Sequence, residues 1–269
     1  MNKTAASNLS LGAECVGSAD CLRAQAALRA WADPEKAKFL AGFFKTGPGQ
    51  YGEGDHFLGV VVPAVRELAK QFRLLPLADC DVLLASPYNE ERLLALLILV
   101  GQYPKADQAT QDKVYQFYVS HRQRINNWNL VDNSAPKIVG RHLLTRDRSV
   151  LYEWVRSPML WERRIAVLAT LTFIRAKDFA DTLRLTELLL ADPQDLMHKA
   201  CGWMLREVGK RDAAVLEDFL SQHQRAMPRT MLRYAIERFS PDKRAALLAG
   251  TFMSAGNLPP TDNAHRCRS

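Results

Sequence analysis

The sequence predicts an all-α fold, a solenoid of stacked helical hairpins with a basic concave face. Three observations carry this. Proline recurs ahead of helical segments at Pro87, Pro158, Pro193 and Pro228, with gaps of 71, 35 and 35 residues, so the first gap holds two periods with a proline missing near position 122. Small residues follow at matched positions: Ala95, Ala166 and Cys201 stand eight after the first three prolines, and Ala235 seven after the fourth. No segment shows the period-two alternation of a half-buried strand, so essentially no sheet is expected. Repeats of this length are helical hairpins that bury their apolar faces only against their neighbours.

Taken in order, the first twenty residues are small and polar and read as an extension, residues 1–20, ahead of a single repeat domain over 21–250. A helical pattern starts near Ser18, and Asp33-Pro34 opens another in DPEKAKFLAGFFK. A Ser or Asp before Pro reads as a helix start, because the side chain accepts a free amide and proline has none to leave unpaired. TGPGQYGEGDHFLG, residues 46–59, is the longest loop; its glycines lack the GK[ST] of a phosphate-binding loop. Apolar residues Val62, Val65, Leu68, Ala69 and Phe72 then mark one face of a helix. Further helices are expected over 78–85, 88–102, 107–121, 126–144, 148–155, 159–175, 179–191, 194–209, 212–220, 228–239 and 241–249. The tail 254–269, SAGNLPPTDNAHRCRS, has the composition of a disordered segment.

The totals narrow the class. With 36 Lys and Arg against 29 Asp and Glu, the net charge is +7 and the pI about 9.2, which favours a polyanionic partner, nucleic acid before an acidic membrane surface. The longest apolar run, LLALLILVG, is too short to cross a bilayer, and no compact apolar run marks the N-terminus as a secretion signal, so no membrane partner is expected. Cys15, Cys21, Cys80, Cys201 and Cys267 are odd in number and form no CxxC pair; they read as reduced thiols in a cytoplasmic protein. The histidines show no metal-ligand spacing, and neither metal nor cofactor is expected.

The phase of the repeats points to a site. Six residues after each proline, with 122 standing in for the missing one, lie Trp128, Arg164 and Lys199; ten after lie Asp132 and Trp203. Positions four apart share a helical face. For a lone Trp-x-x-x-Asp the core reading of the indole would win, but a core-facing stripe would not also hold two cations. Arg206 follows Trp203 by three, Arg163 neighbours Arg164, Lys137 and Arg141 continue the Asp132 helix, and Arg233 recurs in the last repeat. Basic residues interleaved with aromatics suit a phosphate backbone, although surface pairs such as Glu207 with Arg211 account for some of them. One carboxylate and two indoles suffice to hydrolyse an N-glycosidic bond to an alkylated purine. The carboxylate stabilises an oxocarbenium-like sugar, the indole faces attract the cationic base, and that base departs neutral without a general acid.

At these residues the chain resembles the AlkD family of DNA alkylation-repair glycosylases, on YGEGDHFLGVVVPAVRELAK, NNWNLVD, ERRIAVL and GWMLRE, in that order, over Trp31 to Arg244. The resemblance implies a right-handed superhelix of HEAT-like repeats. It also implies excision of positively charged N3- and N7-alkylpurines from double-stranded DNA without drawing the base into an enclosed pocket. Carried over, Asp132 is the catalytic carboxylate and Trp128 and Trp203 bracket the lesion. Arg164 holds a nearby phosphate, while Lys199 and Arg206 add phosphate contacts. The enzyme is expected to act as a monomeric, monofunctional glycosylase. Two alternatives stand beside this: a non-catalytic binder of branched or damaged DNA, and a helical scaffold whose tryptophans anchor a partner protein.

Overall fold

The computed structural model describes residues 17–251, so residues 1–16 of the expected extension, the tail 254–269, and Cys15 and Cys267 lie outside the described residues. The described chain is a helical-repeat solenoid. In chain order it runs α1 (Ala19–Arg29), α2 (Pro34–Phe43), α3 (Val62–Gln71), α4 (Leu77–Leu84), α5 (Asn89–Gln102) and α6 (Gln108–Ser120). Next come α7 (Trp128–Ser134), a π turn (Pro136–Gly140), α8 (Arg141–Leu143), α9 (Ser149–Trp154), α10 (Leu160–Arg175) and α11 (Ala180–Leu188). The chain closes with α12 (Asp195–Gly209), α13 (Ala213–His223), α14 (Arg229–Ala235) and α15 (Pro241–Ala249). Among the described residues no strand forms, only an isolated bridge between His56 and Tyr88, and no helix is long and apolar enough to cross a membrane.

Helices α3, α5, α7, α10, α12 and α14 pack side by side as an inner row, with α4, α6, α9, α11 and α13 behind them. The core runs through this row: Leu93–Leu99 of α5 and Ile165–Ala169 of α10 are buried almost to the last atom. Cys21, Cys80 and Cys201 are free and buried, and burial pushes the Cys201 thiol up to about 12, so it behaves as a small apolar group. Close approach between rows has a local cause at Gly140. A Cβ there would stand 2.2 Å from the carbonyl oxygen of Ala169, so only glycine lets the α7–α8 rod lie this near α10.

The repeat prolines do not stand at the first helical position as the sequence suggests: Pro228 is itself the N-cap of α14, and Pro87, Pro158 and Pro193 lie one residue before theirs. The N-caps are Tyr88, Met159 and Gln194, each one residue past the proline and none with a capping side chain. Instead the preceding polar residue accepts the amide two positions on: Tyr88 N to Ser86 Oγ at 3.0 Å, Met159 N to Ser157 Oγ at 3.1 Å, and Gln194 N to Asp192 Oδ1 at 2.8 Å. These are Ser and Asx turns that feed the helix. The Ser-Pro carbonyls are taken by a returning arginine, Arg92 in one repeat and Arg163 in another. True caps occur where Asp or Ser directly precedes the first helical residue, as at Asp33 and Ser240.

The second repeat corrects the register. Its helix starts at the Asn127 cap after a 3-10 turn (Arg122–Arg124), so the N-caps 88, 127, 159 and 194 are spaced 39, 32 and 35 residues apart. Counted from the caps, Asp132, Arg164 and Lys199 are equivalent, each five residues in, and Arg233 holds that place after the Pro228 cap. Trp128 is one helical turn earlier than its supposed equivalents, because the missing proline stands for a differently built turn, not a substituted one.

Candidate active site

The inner row opens a cleft of about 700 Å³ lined by Phe43, Lys45, Tyr51, Trp128, Asp132, Arg164, Lys199, Trp203, Arg206 and Tyr234, with Gly42 and Leu196 completing it. Asp132 and Arg164 share a phase on adjacent helices, so they meet. Arg164 Nε donates to Asp132 Oδ1 at 2.9 Å and Nη2 to Oδ2 at 2.8 Å, a bidentate pair, while Nη1 donates to the Leu196 carbonyl at 2.6 Å. The arginine is 5% exposed, and the Asp132 side chain keeps 16% of its surface open toward the cleft. A carboxylate held at both oxygens is fixed in orientation yet retains lone pairs for a ligand.

Trp128 is held from one side. Its ring stacks on Phe44 with centroids 4.8 Å apart, Phe44 stacks on Phe57 at 4.8 Å, and Phe43 meets the indole edge-on at 5.9 Å. Trp203 stands half-buried across the cleft on α12. The wall bearing Phe44, Tyr51 and Phe57 is a loop, and buried polar groups at the start of α5 pin it. Glu90 accepts the amides of Leu58, Gly59 and Val60 at 3.0, 2.9 and 3.2 Å. Asp55 binds Arg92, Asn89 at 3.0 Å and Asn127 at 2.8 Å, so the cap residue of the Asp132 helix belongs to the same network. At Gly59 φ is +85° and a Cβ would stand 2.1 Å from the Asp33 carbonyl oxygen, so glycine alone fits this crossing of α2 and loop. Burial raises the Glu90 carboxyl above its usual range, against the three amides that lower it.

The expected cations divide into groups. Arg164 is occupied by Asp132 and Leu196, so it serves as a partner to the carboxylate where a phosphate contact was expected. Lys199 pairs with Asp195 at 2.7 Å, which raises the lysine and lowers the carboxyl, and Arg206 pairs with Glu237. Arg163 lies outside the cleft: it binds Asp192 at 2.7 Å and the carbonyls of Ser157 and Pro158, locking the inter-repeat turn. Lys137 and Arg141 line a separate cleft farther along the same rod, and Arg233 is exposed on α14. Glu207 with Arg211 is a surface pair at 3.1 Å.

Sequence reasoning missed Phe43, Lys45, Tyr51 and Tyr234. The one available signal was Phe39 and Phe43 on α2, whose pattern leaves apolar residues on a face the core does not use; both are more than half exposed.

The DNA alkylation repair enzyme family matches this chain over residues 24–239. A solved structure described as a predicted DNA alkylation repair enzyme from Enterococcus faecalis is similar in fold, with a TM-score of 0.62 at 15% identity, covering 78% of this chain and 97% of that one. No curated protein matches the chain.

Proposed function

Because the chain belongs to the DNA alkylation repair enzyme family, we propose that it excises positively charged N3- and N7-alkylpurines from double-stranded DNA as a monofunctional glycosylase. The observation that carries this reading is a lone carboxylate, Asp132, locked bidentately by buried Arg164 in an open cleft between Trp128 and Trp203. The two indoles attract the cationic base by about 0.5–2 kcal/mol per contact. Asp132 faces the sugar, where positive charge grows as the glycosidic bond breaks, and orients the attacking water. Arg164 keeps the carboxylate aimed through two donors, so no reorganisation is needed as the charge develops. The alkylated base carries its positive charge before cleavage and leaves neutral, so one carboxylate suffices.

The test is release of free base from methylated duplex DNA by wild type and Asp132→Asn side by side. The variant is expected to lose at least about a hundredfold in rate while duplex affinity stays within a few-fold. Turnover retained by Asp132→Asn refutes the role of the carboxylate. Absence of release by wild type, with tight and salt-sensitive binding, favours a non-catalytic DNA-binding protein.

A further inference from the structure

The turns that feed α5 and α10 are built alike up to one contact. Arg92 and Arg163 each stand four residues past their N-caps, Tyr88 and Met159. Each returns Nη1 to the Ser-Pro carbonyls of its own turn, Ser86 and Pro87 in one, Ser157 and Pro158 in the other. Arg163 then donates Nε to Asp192 at 2.7 Å, a buried carboxylate two residues before the next N-cap, Gln194. The corresponding place after Arg92, two residues before the Asn127 cap, holds Ile125. Arg92 gives Nη2 to Asp55, and its Nε is buried without a partner among the described residues.

The neighbours of Ile125 enclose a polar cavity of about 190 Å³. Arg92 and Ser86 line it from one turn, and Gln123, Arg124 and Asn126 from the next. This volume exceeds the roughly 30 Å³ share of a single water. Arg92 is 5% exposed, and a buried donor left unmet is costly to a fold. Asn126 adds a second unmet group, a buried Oδ1 with no donor to it among the described residues. Arg124, half-exposed, gives one of its three nitrogens to Asp81 at 3.3 Å. The nearby carboxylates, Asp55 and Asp81, are thus both engaged by arginines. The cavity presents a charged donor, a second guanidinium and a neutral acceptor that needs a hydrogen.

We infer that this cavity binds a small protonated oxyanion, inorganic phosphate, which fills for Arg92 the place that Asp192 fills for Arg163. One phosphate oxygen accepts from Arg92 Nε and another from Arg124, while a P–OH donates to Asn126 Oδ1. The acceptor decides between anions. Inorganic phosphate keeps at least one hydroxyl at neutral pH. Sulfate and the phosphodiester of a nucleic-acid backbone have none, and leave Asn126 unmet. A phosphate here also bears on the aromatic cleft. Arg92 holds Asp55, and Asp55 holds Asn127, the cap of the helix that carries Trp128 and Asp132. The inference does not rest on the excision reading, since its ligand is a free anion and not DNA.

The experiment follows thermal unfolding and titration calorimetry of the full chain with phosphate, sulfate and dimethyl phosphate at constant ionic strength. Phosphate is expected to bind one site and to raise Tm by about 5–10 °C at a hundredfold excess over its Kd. Sulfate and dimethyl phosphate are expected to bind about tenfold or more weakly, because they leave a buried acceptor unmet. Asn126→Asp places a carboxylate in the cavity, so it should raise Tm without phosphate and abolish the response to it. Arg124→Gln should weaken phosphate about tenfold, with circular dichroism unchanged. Absence of saturable phosphate binding overturns the site and leaves a hydrated cavity. Equal binding of sulfate marks an adventitious ion only, and retained phosphate binding in Asn126→Asp puts the anion elsewhere; either outcome refutes the inference.

Discussion

Arg164 changes what its neighbour can do. A lysine there would give Asp132 one point charge in place of two parallel donors, and would abandon the Leu196 carbonyl. Arg164→Lys is therefore expected to slow base release by about tenfold to a hundredfold with little change in duplex affinity, and to cost about 1–3 kcal/mol of stability by leaving buried acceptors unmet. Single-turnover kinetics beside urea unfolding separate the two; a large loss of affinity with unchanged rate would return Arg164 to a phosphate contact. The residue types of this site were legible in the sequence, since a tryptophan and an aspartate one turn apart stand out beside recurrent arginines. The pairing was not. It depends on Asp132 and Arg164 sharing a phase, and that phase is set by the Asn127 cap and the 3-10 turn before it, where no proline marks the start.

At the level of elements, the α7–α8 rod carries Trp128 and Asp132, and its distance from α10 is fixed by Gly140. Gly140→Ala is expected to destabilise the fold by about 1–3 kcal/mol through overpacking against the Ala169 carbonyl, and to reduce base release because Asp132 and Arg164 ride on the two helices being forced apart. Urea unfolding with an unchanged m-value checks the first part; a neutral result would mean that the helices yield without strain. Most helices were predictable to within a few residues, because apolar spacing marks one face of α3 and α12 while α5 and α10 are apolar nearly all round over a helical length. Their starts were misread where Ser-Pro or Asp-Pro forms a turn ahead of the helix, since both arrangements need the same residues and differ only in which amide the side chain accepts.

Over the whole molecule, order is graded. The inner helices α5 and α10 are buried on nearly every side, whereas α2 has no buried residue and presents Phe39 and Phe43 outward. Amide hydrogen exchange is expected to be slowest in α5 and α10 and fastest in α2 and α15, because protection follows the free energy of local opening; uniform exchange across the row would show a single cooperative unit instead. The loop from Phe44 to Val60 is the exception among connections. Glu90 gathers three successive amides from it and Asp55 fastens it to the helix that carries Asp132. A loop so tethered has little conformational freedom left to surrender when a ligand arrives. On its loop side the cleft behaves as a mould, not a clasp, and under the proposed function whatever bending is needed there falls to the DNA.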